Sequence, residues 1–226
     1  MLFELNSKCV FPNPLLSEPD GLLAIGGDLS PERLLEAYKN GVFPWYSNGD
    51  PIMWWSLNPR MLLFPEEFRC SKSLRRCIKS RKYEVKIDTA FEKVMRQCAT
   101  VERNGQDGTW ITDEMIEAYT QLHEMGYAHS FEAYYDGELV GGLYGVSLGA
   151  AFFGESMFAI MTDASKVCFA ALVNFAIDNG FIYIDAQQET EHLASLGAKC
   201  VDKEEFLAML FLSNQVETLK GKWTEI

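Results

Sequence analysis

No apolar run in this 226-residue chain approaches the ~18 residues that a membrane-spanning helix needs. The opening stretch, MLFELNSKCVFPNP, has neither a basic start nor a long apolar core. A secretory leader is therefore not expected, and the cytoplasm is the expected compartment. Histidine is scarce, with only His123, His129 and His192, and the six cysteines form no C-x-x-C pair. That combination argues against a zinc site or a disulfide framework, and for reduced, buried thiols. Internal repeats and low-complexity segments are absent too. What is present is core-forming material: 48% hydrophobic residues and 13% aromatics exclude a disordered chain. A chain of this length buries about 70% of the surface its unfolded form exposes.

Basic charge is in deficit, at −12 net, which normally argues against a nucleic-acid partner. Residues 69–82, RCSKSLRRCIKSRK, run against this background with seven cations and no acid. A net −12 that includes this +7 leaves −19 on the remainder. Helical spacing puts Lys72, Arg75, Arg76 and Lys79 on one face. A run of like charge is ordinarily a solvated face. On so acidic a chain, a patch for a few backbone phosphates gains weight.

Two parts are expected. Residues 1–62 are rich in turn signals and hold one clear helix, SPERLLEAYKN, with Ser30 as N-cap, Pro31 at the first helical position and Gly41 as the stop. In the second part, apolar periodicity predicts helices over 71–80, 88–99, 113–125, 163–178 and 189–196. It predicts strands over 61–64, 83–87, 128–135, 138–147, 150–154, 181–186 and 198–201. Asp136-Gly137 is a two-residue hairpin turn, and the polar tail from Ser213 onward is expected to be loosely held.

The segment Gly141–Gly197 carries the chemistry. Glu155-Ser156 follow AAFFG, and Asp185 and Gln187 close the run FIYIDAQ. Alternation along a strand gives Asp185 and Gln187 one face and Ala186 the other. Such polar groups at the end of a buried strand are costly unless paired or used, and strand ends are where open α/β sheets bind ligands. The glycines 141, 142, 145 and 149 lie inside a hairpin, so close backbone packing explains them better than a phosphate loop. The tryptophans of FPWY, MWWS and GTWI suit either a core or a stacking surface. His192 reads as structural, and Ser156 has no histidine near it in sequence to complete a nucleophilic triad.

Together GLLAIGGDLSPERLLEAYKNGVFPWY, PIMWWSLNPR, GTWITDEMIEAYTQLHEMGYAHSFE, LVGGLYGV, GESMF, DASK, IDAQ and HLASLGA resemble the bacterial leucyl/phenylalanyl-tRNA–protein transferases, with gaps, over about residues 11–210. Departures are small: Ala186 stands where a Cys is frequent, Ala159 where a Ser is common, and Leu57-Asn58 where Pro-Asp is usual. The resemblance implies a soluble enzyme of the N-degron pathway, and a monomer is the expected state. It would move Leu or Phe, and less readily Met, from aminoacyl-tRNA to the α-amino group of proteins beginning with Arg or Lys. The implied fold class is α+β: a small N-terminal domain (1–62) and a C-terminal domain (63–226) with a mixed sheet flanked by helices, similar to the coenzyme A-dependent acetyltransferases.

The reaction is aminolysis of an activated ester, for which neither cofactor nor metal is implied. Asp185 is the candidate to accept or relay the amine proton, with Gln187 orienting the amine or the ester. Glu155 would hold the donor amino group or a developing charge, and assistance from the ribose of the tRNA is a further possibility within the family. Resemblance and apolar spacing assign Trp45, Trp110, Leu143, Met157, Phe169, Leu172 and Ile184 to the pocket for the aminoacyl group and 3′-adenosine. Met157 and Leu143, beside an expected GES turn, would form its neck, and Phe169 and Leu172 its floor. Lys72, Arg75, Arg76 and Lys79 would meet tRNA phosphates. The rival readings are a coenzyme A-dependent acetyltransferase and a non-catalytic tRNA-binding module. After GESMF the sequence AIMTDASK offers no glycine for a pyrophosphate cradle, which weighs against the first.

Overall fold

The computed structural model describes residues 2–101 and 109–225, so the motif beginning at Gly108 enters it at Thr109. The first residues form a four-stranded sheet from β1 (Phe3–Leu5), β2 (Leu22–Gly26), β3 (Phe43–Pro44) and β4 (Met53–Trp55), in the order β1-β2-β4-β3. Helix α1 (Pro31–Lys39) crosses between β2 and β3, with Pro at its first turn as expected. The seven-stranded sheet comprises β5 (Arg60–Leu63), β6 (Glu84–Ile87), β7 (Ala128–Tyr135), β8 (Glu138–Leu148), β9 (Ala151–Ala159), β10 (Tyr183–Gln187) and β11 (Lys199–Val201). Its order is β11-β5-β10-β9-β8-β7-β6, antiparallel throughout except for the parallel pair β10 and β9. The fold is α+β with a mixed sheet.

Alternation along the central strands sends side chains to two cores. Tyr144, Val146, Ala151, Phe153 and Tyr183 face one side, where they pack with α1, α3 (Phe91–Ala99) and α4 (Asp113–Glu124). Leu143, Phe152 and Ile184 face the other, beneath α5 (Ala164–Asp178) and Leu74 of α2 (Lys72–Lys79). The first core includes Leu34, Ala37 and Tyr38 of α1, so the N-terminal residues and the large sheet share one interior. Asp136 (φ 50°) and Gly137 (φ 83°) make the β7–β8 hairpin turn, both in the left-handed region that such a turn demands. Glycine in β8 serves close packing: a Cβ on Gly141 would lie 2.5 Å from that of Ala164, and one on Gly145 would lie 2.2 Å from the Phe153 carbonyl oxygen.

Four expectations need correction. Strand β9 runs on to Ala159, so Glu155 and Ser156 sit within it, not in a turn after it. The helix expected from residue 88 begins at Phe91, because Asp88 stands at φ 56°, outside helical geometry, with its buried carboxylate bonded to His129 and the Ser130 N–H. An unexpected helix, α7 (Lys203–Ser213), follows β11 and the short α6 (Glu191–Ser195). Its own N-cap, Asp202, makes no side-chain capping bond; Asn58 reaches across the fold to accept from the Lys203 N–H at 3.0 Å. Finally, the tail is held. Trp223 is 2% exposed, its ring stacks on His129 at 3.6 Å and on Phe175 at 4.3 Å, and its backbone N–H donates to Asp88 Oδ2. One large aromatic ring in an apolar slot outweighs the polar residues around it.

Candidate active site

The site begins where β10 leaves the sheet. Along β10, Asp185 pairs with Leu62 of β5 and Gln187 with Met61, so two residues oppose one, and Gln187 adopts φ 53°. This bulge replaces the simple alternation expected of Asp185 and Gln187, and each side chain meets its own partners. Asp185 is wholly buried. Both its oxygens accept from Arg60, at 2.9 and 3.0 Å from Nε and 2.7 Å from Nη2, and Oδ1 also accepts the Gln187 N–H at 2.9 Å. The Arg60 guanidinium lies 5.0 Å from the Phe43 ring centroid and 4.6 Å from that of Phe206. A buried charge pair persists only when geometry and hydrogen bonds offset desolvation, and here every acceptor on the carboxylate is engaged.

Gln187 turns to Glu155, its Nε2 donating to Oε1 at 3.1 Å. Tyr38 of α1 donates to the same oxygen at 2.7 Å. The Tyr119 hydroxyl of α4 bonds to that of Tyr38 and stands 3.5 Å from Glu155 Oε2. Burial pushes Glu155 up to about 7; the Tyr38 bond opposes this and the charge of Asp185 adds to it. Burial, then the negative charge of Glu155, holds Tyr38 and Tyr119 well above the ordinary phenol range. Glu155 therefore changes protonation near neutral pH inside a cage of buried hydroxyls.

Of these groups, Glu155, Asp185 and Gln187 line a cavity of about 360 Å³. Trp45, Trp110, Leu143, Met157, Phe169, Leu172 and Ile184 all line it, together with Glu155 and Gln187. Leu143, Phe169, Leu172 and Ile184 are buried at its apolar end. Trp45, Trp110 and Met157 are half-buried walls. Trp45 is fixed by Trp55, whose Nε1 donates to its carbonyl at 2.6 Å. His192 also reaches the cavity, its pKa lowered by partial burial and then by Lys166, which adds a site contact to the structural reading of it.

The basic helix lies apart from these polar groups. Lys72, Arg75, Arg76 and Lys79 of α2 are exposed, and none is ion-paired among the described residues. Leu74 anchors α2 in the same core as α5, the helix that supplies Phe169 and Leu172. Ser71 caps it, accepting from the Leu74 N–H at 3.1 Å.

Comparison with known proteins gives this geometry a context. A family model described as leucyl/phenylalanyl-tRNA protein transferase matches residues 62–211, and that of its N-terminal domain matches residues 27–58. The chain belongs to the leucyl/phenylalanyl-tRNA–protein transferase family. It is an aminoacyltransferase. It is 52% identical over 223 residues to the protein of that name from Desulfatibacillum aliphaticivorans, covering 99% of this chain and 96% of the relative. Identity to the Myxococcus xanthus (strain DK1622) protein is 54% over 216 residues, covering 96% and 92%. Solved structures resemble the transferase only loosely. L-PGS from Bacillus licheniformis, at 11% identity, covers 76% of this chain and 57% of its own, with a TM-score of 0.41, too low to support an argument. Among the described residues no helix of the transferase is long and apolar enough to cross a membrane.

Three residues that shape the site escaped the sequence reading. Arg60 opens the buried strand RMLL, and a cation at the head of such a run is the signal that could have exposed it. Tyr38 and Tyr119 lie on the apolar faces of α1 and α4 among Leu34 and Ala37 and among Met115 and Leu122. There a tyrosine is indistinguishable from an ordinary core aromatic until its hydroxyl partner is known.

Proposed function

We propose that this chain moves leucine or phenylalanine, and methionine less readily, from aminoacyl-tRNA to the α-amino group of proteins beginning with Arg or Lys. In this reading it works as a monomer in the cytoplasm and marks its acceptors for degradation. The observation that carries the reading is the cavity, with apolar Phe169, Leu172 and Ile184 at one end and the polar pair Glu155–Gln187 beside it. An unbranched apolar side chain enters the apolar end, the 3′-adenosine lies against Trp45 and Trp110, and the ester carbonyl comes to the polar groups. The exposed cations of α2 meet phosphates of the tRNA backbone.

Aminolysis needs the acceptor amine neutral, oriented and relieved of a proton as it attacks. Gln187 orients it. Asp185, with both oxygens bonded to Arg60 and one to the Gln187 N–H, acts through Gln187 and does not itself take the proton. A coenzyme A-dependent acetyltransferase is disfavoured by the N-terminus of α5, where Asp163 occupies the cap position at φ 66° and would repel a pyrophosphate. The test is to mix the protein with labelled Leu-tRNA and a peptide beginning with Arg. Labelled peptide formed without coenzyme A is expected; a strict requirement for coenzyme A overturns the reading.

A further inference from the structure

We infer that Glu155 is the catalytic group that takes the proton from the acceptor amine and returns it to the leaving ribose oxygen, and that Tyr38 and Tyr119 are positioning residues that hold its carboxylate for this. The inference rests on the transfer reading above. Its ground is that, among the described residues, Glu155 is the cavity-lining carboxylate with no ion-paired cation: Asp185 is committed to Arg60, whereas Glu155 is held by the neutral donors Tyr38, Tyr119 and Gln187. A neutral cage stabilises a carboxylate by hydrogen bonds without neutralising it, so its basicity survives. Asp185 sits instead against a guanidinium, with both its oxygens already accepting from Arg60 and one from the Gln187 N–H.

The step balances. The amine nitrogen bonds to the ester carbonyl carbon and its surplus proton passes to Glu155, giving a neutral carboxylic acid. As the carbon–oxygen bond to the ribose breaks, that proton goes to the departing oxygen. Glu155 ends as it began, and the products are a new peptide bond and a free ribose hydroxyl. Proton uptake and release by one group are easiest when its pKa lies near the working pH. Burial has brought Glu155 to about 7, where both transfers are near balance. The charged and titratable groups around it are Asp185 of β10 and Arg60 of β5, opposite in sign, Tyr38 of α1 and Tyr119 of α4, with Tyr144 of β8 edge-on to Tyr119 at 6.1 Å. The phenols titrate far above neutrality and His192, on the same cavity, is held below the ordinary imidazole range, so Glu155 is the group in this hydrogen-bonded cluster pushed up to about 7.

The arrangement also ties chemistry to the N-terminal residues. Tyr38 belongs to α1, 117 positions before Glu155, and its ring packs on Phe153 at 5.1 Å. Removing its hydroxyl leaves that packing and deletes one bond to the carboxylate.

The experiment measures single-turnover transfer from Leu-tRNA to an Arg-beginning peptide between about pH 5.5 and 8.5, a range spanning the peptide amine and Glu155. It does so for the unaltered chain, Tyr38→Phe and Glu155→Gln, and titration of the peptide amine cancels in the ratio of rates. The wild-type advantage over Glu155→Gln is expected to grow as pH rises through 7 and then level off. The advantage over Tyr38→Phe is expected to be largest at low pH, by about tenfold relative to high pH, because losing one bond to the charged form makes Glu155 harder to deprotonate. KM for Leu-tRNA should change little in either variant. Ratios that do not vary with pH, with the unaltered chain active, overturn this inference and leave the transfer reading standing. An unaltered chain that transfers nothing overturns both. Should Glu155→Gln fail to fold, Tyr38→Phe, checked by its melting temperature, decides alone.

Discussion

Replacing Arg60 with Met should destabilise the fold by about 3–5 kcal/mol, the usual cost of leaving a buried charge without its partner. Arg60 makes three contacts of 2.7–3.0 Å with Asp185, a fourth of 3.3 Å to the Gly41 carbonyl, and lies between Phe43 and Phe206. Methionine preserves much of the apolar contact with those rings, so the loss isolates the ion pair. Against a typical total of ~5–15 kcal/mol, the single variant stands near the threshold of folding. The double variant Arg60→Met with Asp185→Leu removes both charges and should recover most of the loss. Urea unfolding, followed by both circular dichroism and tryptophan fluorescence to verify a single transition, measures the difference. Transfer should remain low in the double variant, because the Gln187 N–H has lost its Asp185 acceptor. A single variant less than about 1 kcal/mol weaker, or a double variant no better than the single, would refute the argument.

Three other outcomes are expected. Trp223→Ala should cost about 3 kcal/mol by emptying the slot between His129 and Phe175, lowering the melting temperature while leaving the transfer rate of folded protein near normal. Replacing Arg75, Arg76 and Lys79 with Glu should raise KM for aminoacyl-tRNA and flatten its salt dependence; an aminoacyl-adenosine too short to reach α2 should react almost unchanged. Among competing charged tRNAs, Phe169→Ala should depress use of Phe and Leu most, and Met157→Ala should relax rejection of Ile and Val. An unchanged donor order in both would place the pocket elsewhere, since contact loss alone is worth only about 1–3 kcal/mol per methylene.

Local pattern alone was enough for much of the framework. The helices 72–79 and 113–124 and the strands 84–87 and 128–135 follow from apolar periodicity and cap residues close in sequence. The turn at Asp136-Gly137 follows from which residues tolerate positive φ. The exposed face of Lys72, Arg75, Arg76 and Lys79 follows from helical spacing, because solvated charges need no distant partner. Even the packing role of Gly141 and Gly145 was legible, since a glycine inside a strand pattern calls for close approach by something.

Other features needed the assembled fold. Helix α7 was illegible because its N-terminal N–H is satisfied by Asn58, 145 positions away from Lys203. The tail read as loose because its polar composition hid one tryptophan with a slot waiting between His129 and Phe175. Most consequential is the division of labour between the carboxylates. Asp185 and Glu155 both read from sequence as acids set in apolar strands. Arg60, 125 positions from Asp185, ties one of them into a buried ion pair, and Tyr38 with Tyr119, 117 and 36 positions from Glu155, cages the other as a group pushed up to about 7. Periodicity records which side chains are buried. What a buried acid becomes depends on the partner that meets it, and tertiary packing brings that partner from far along the chain.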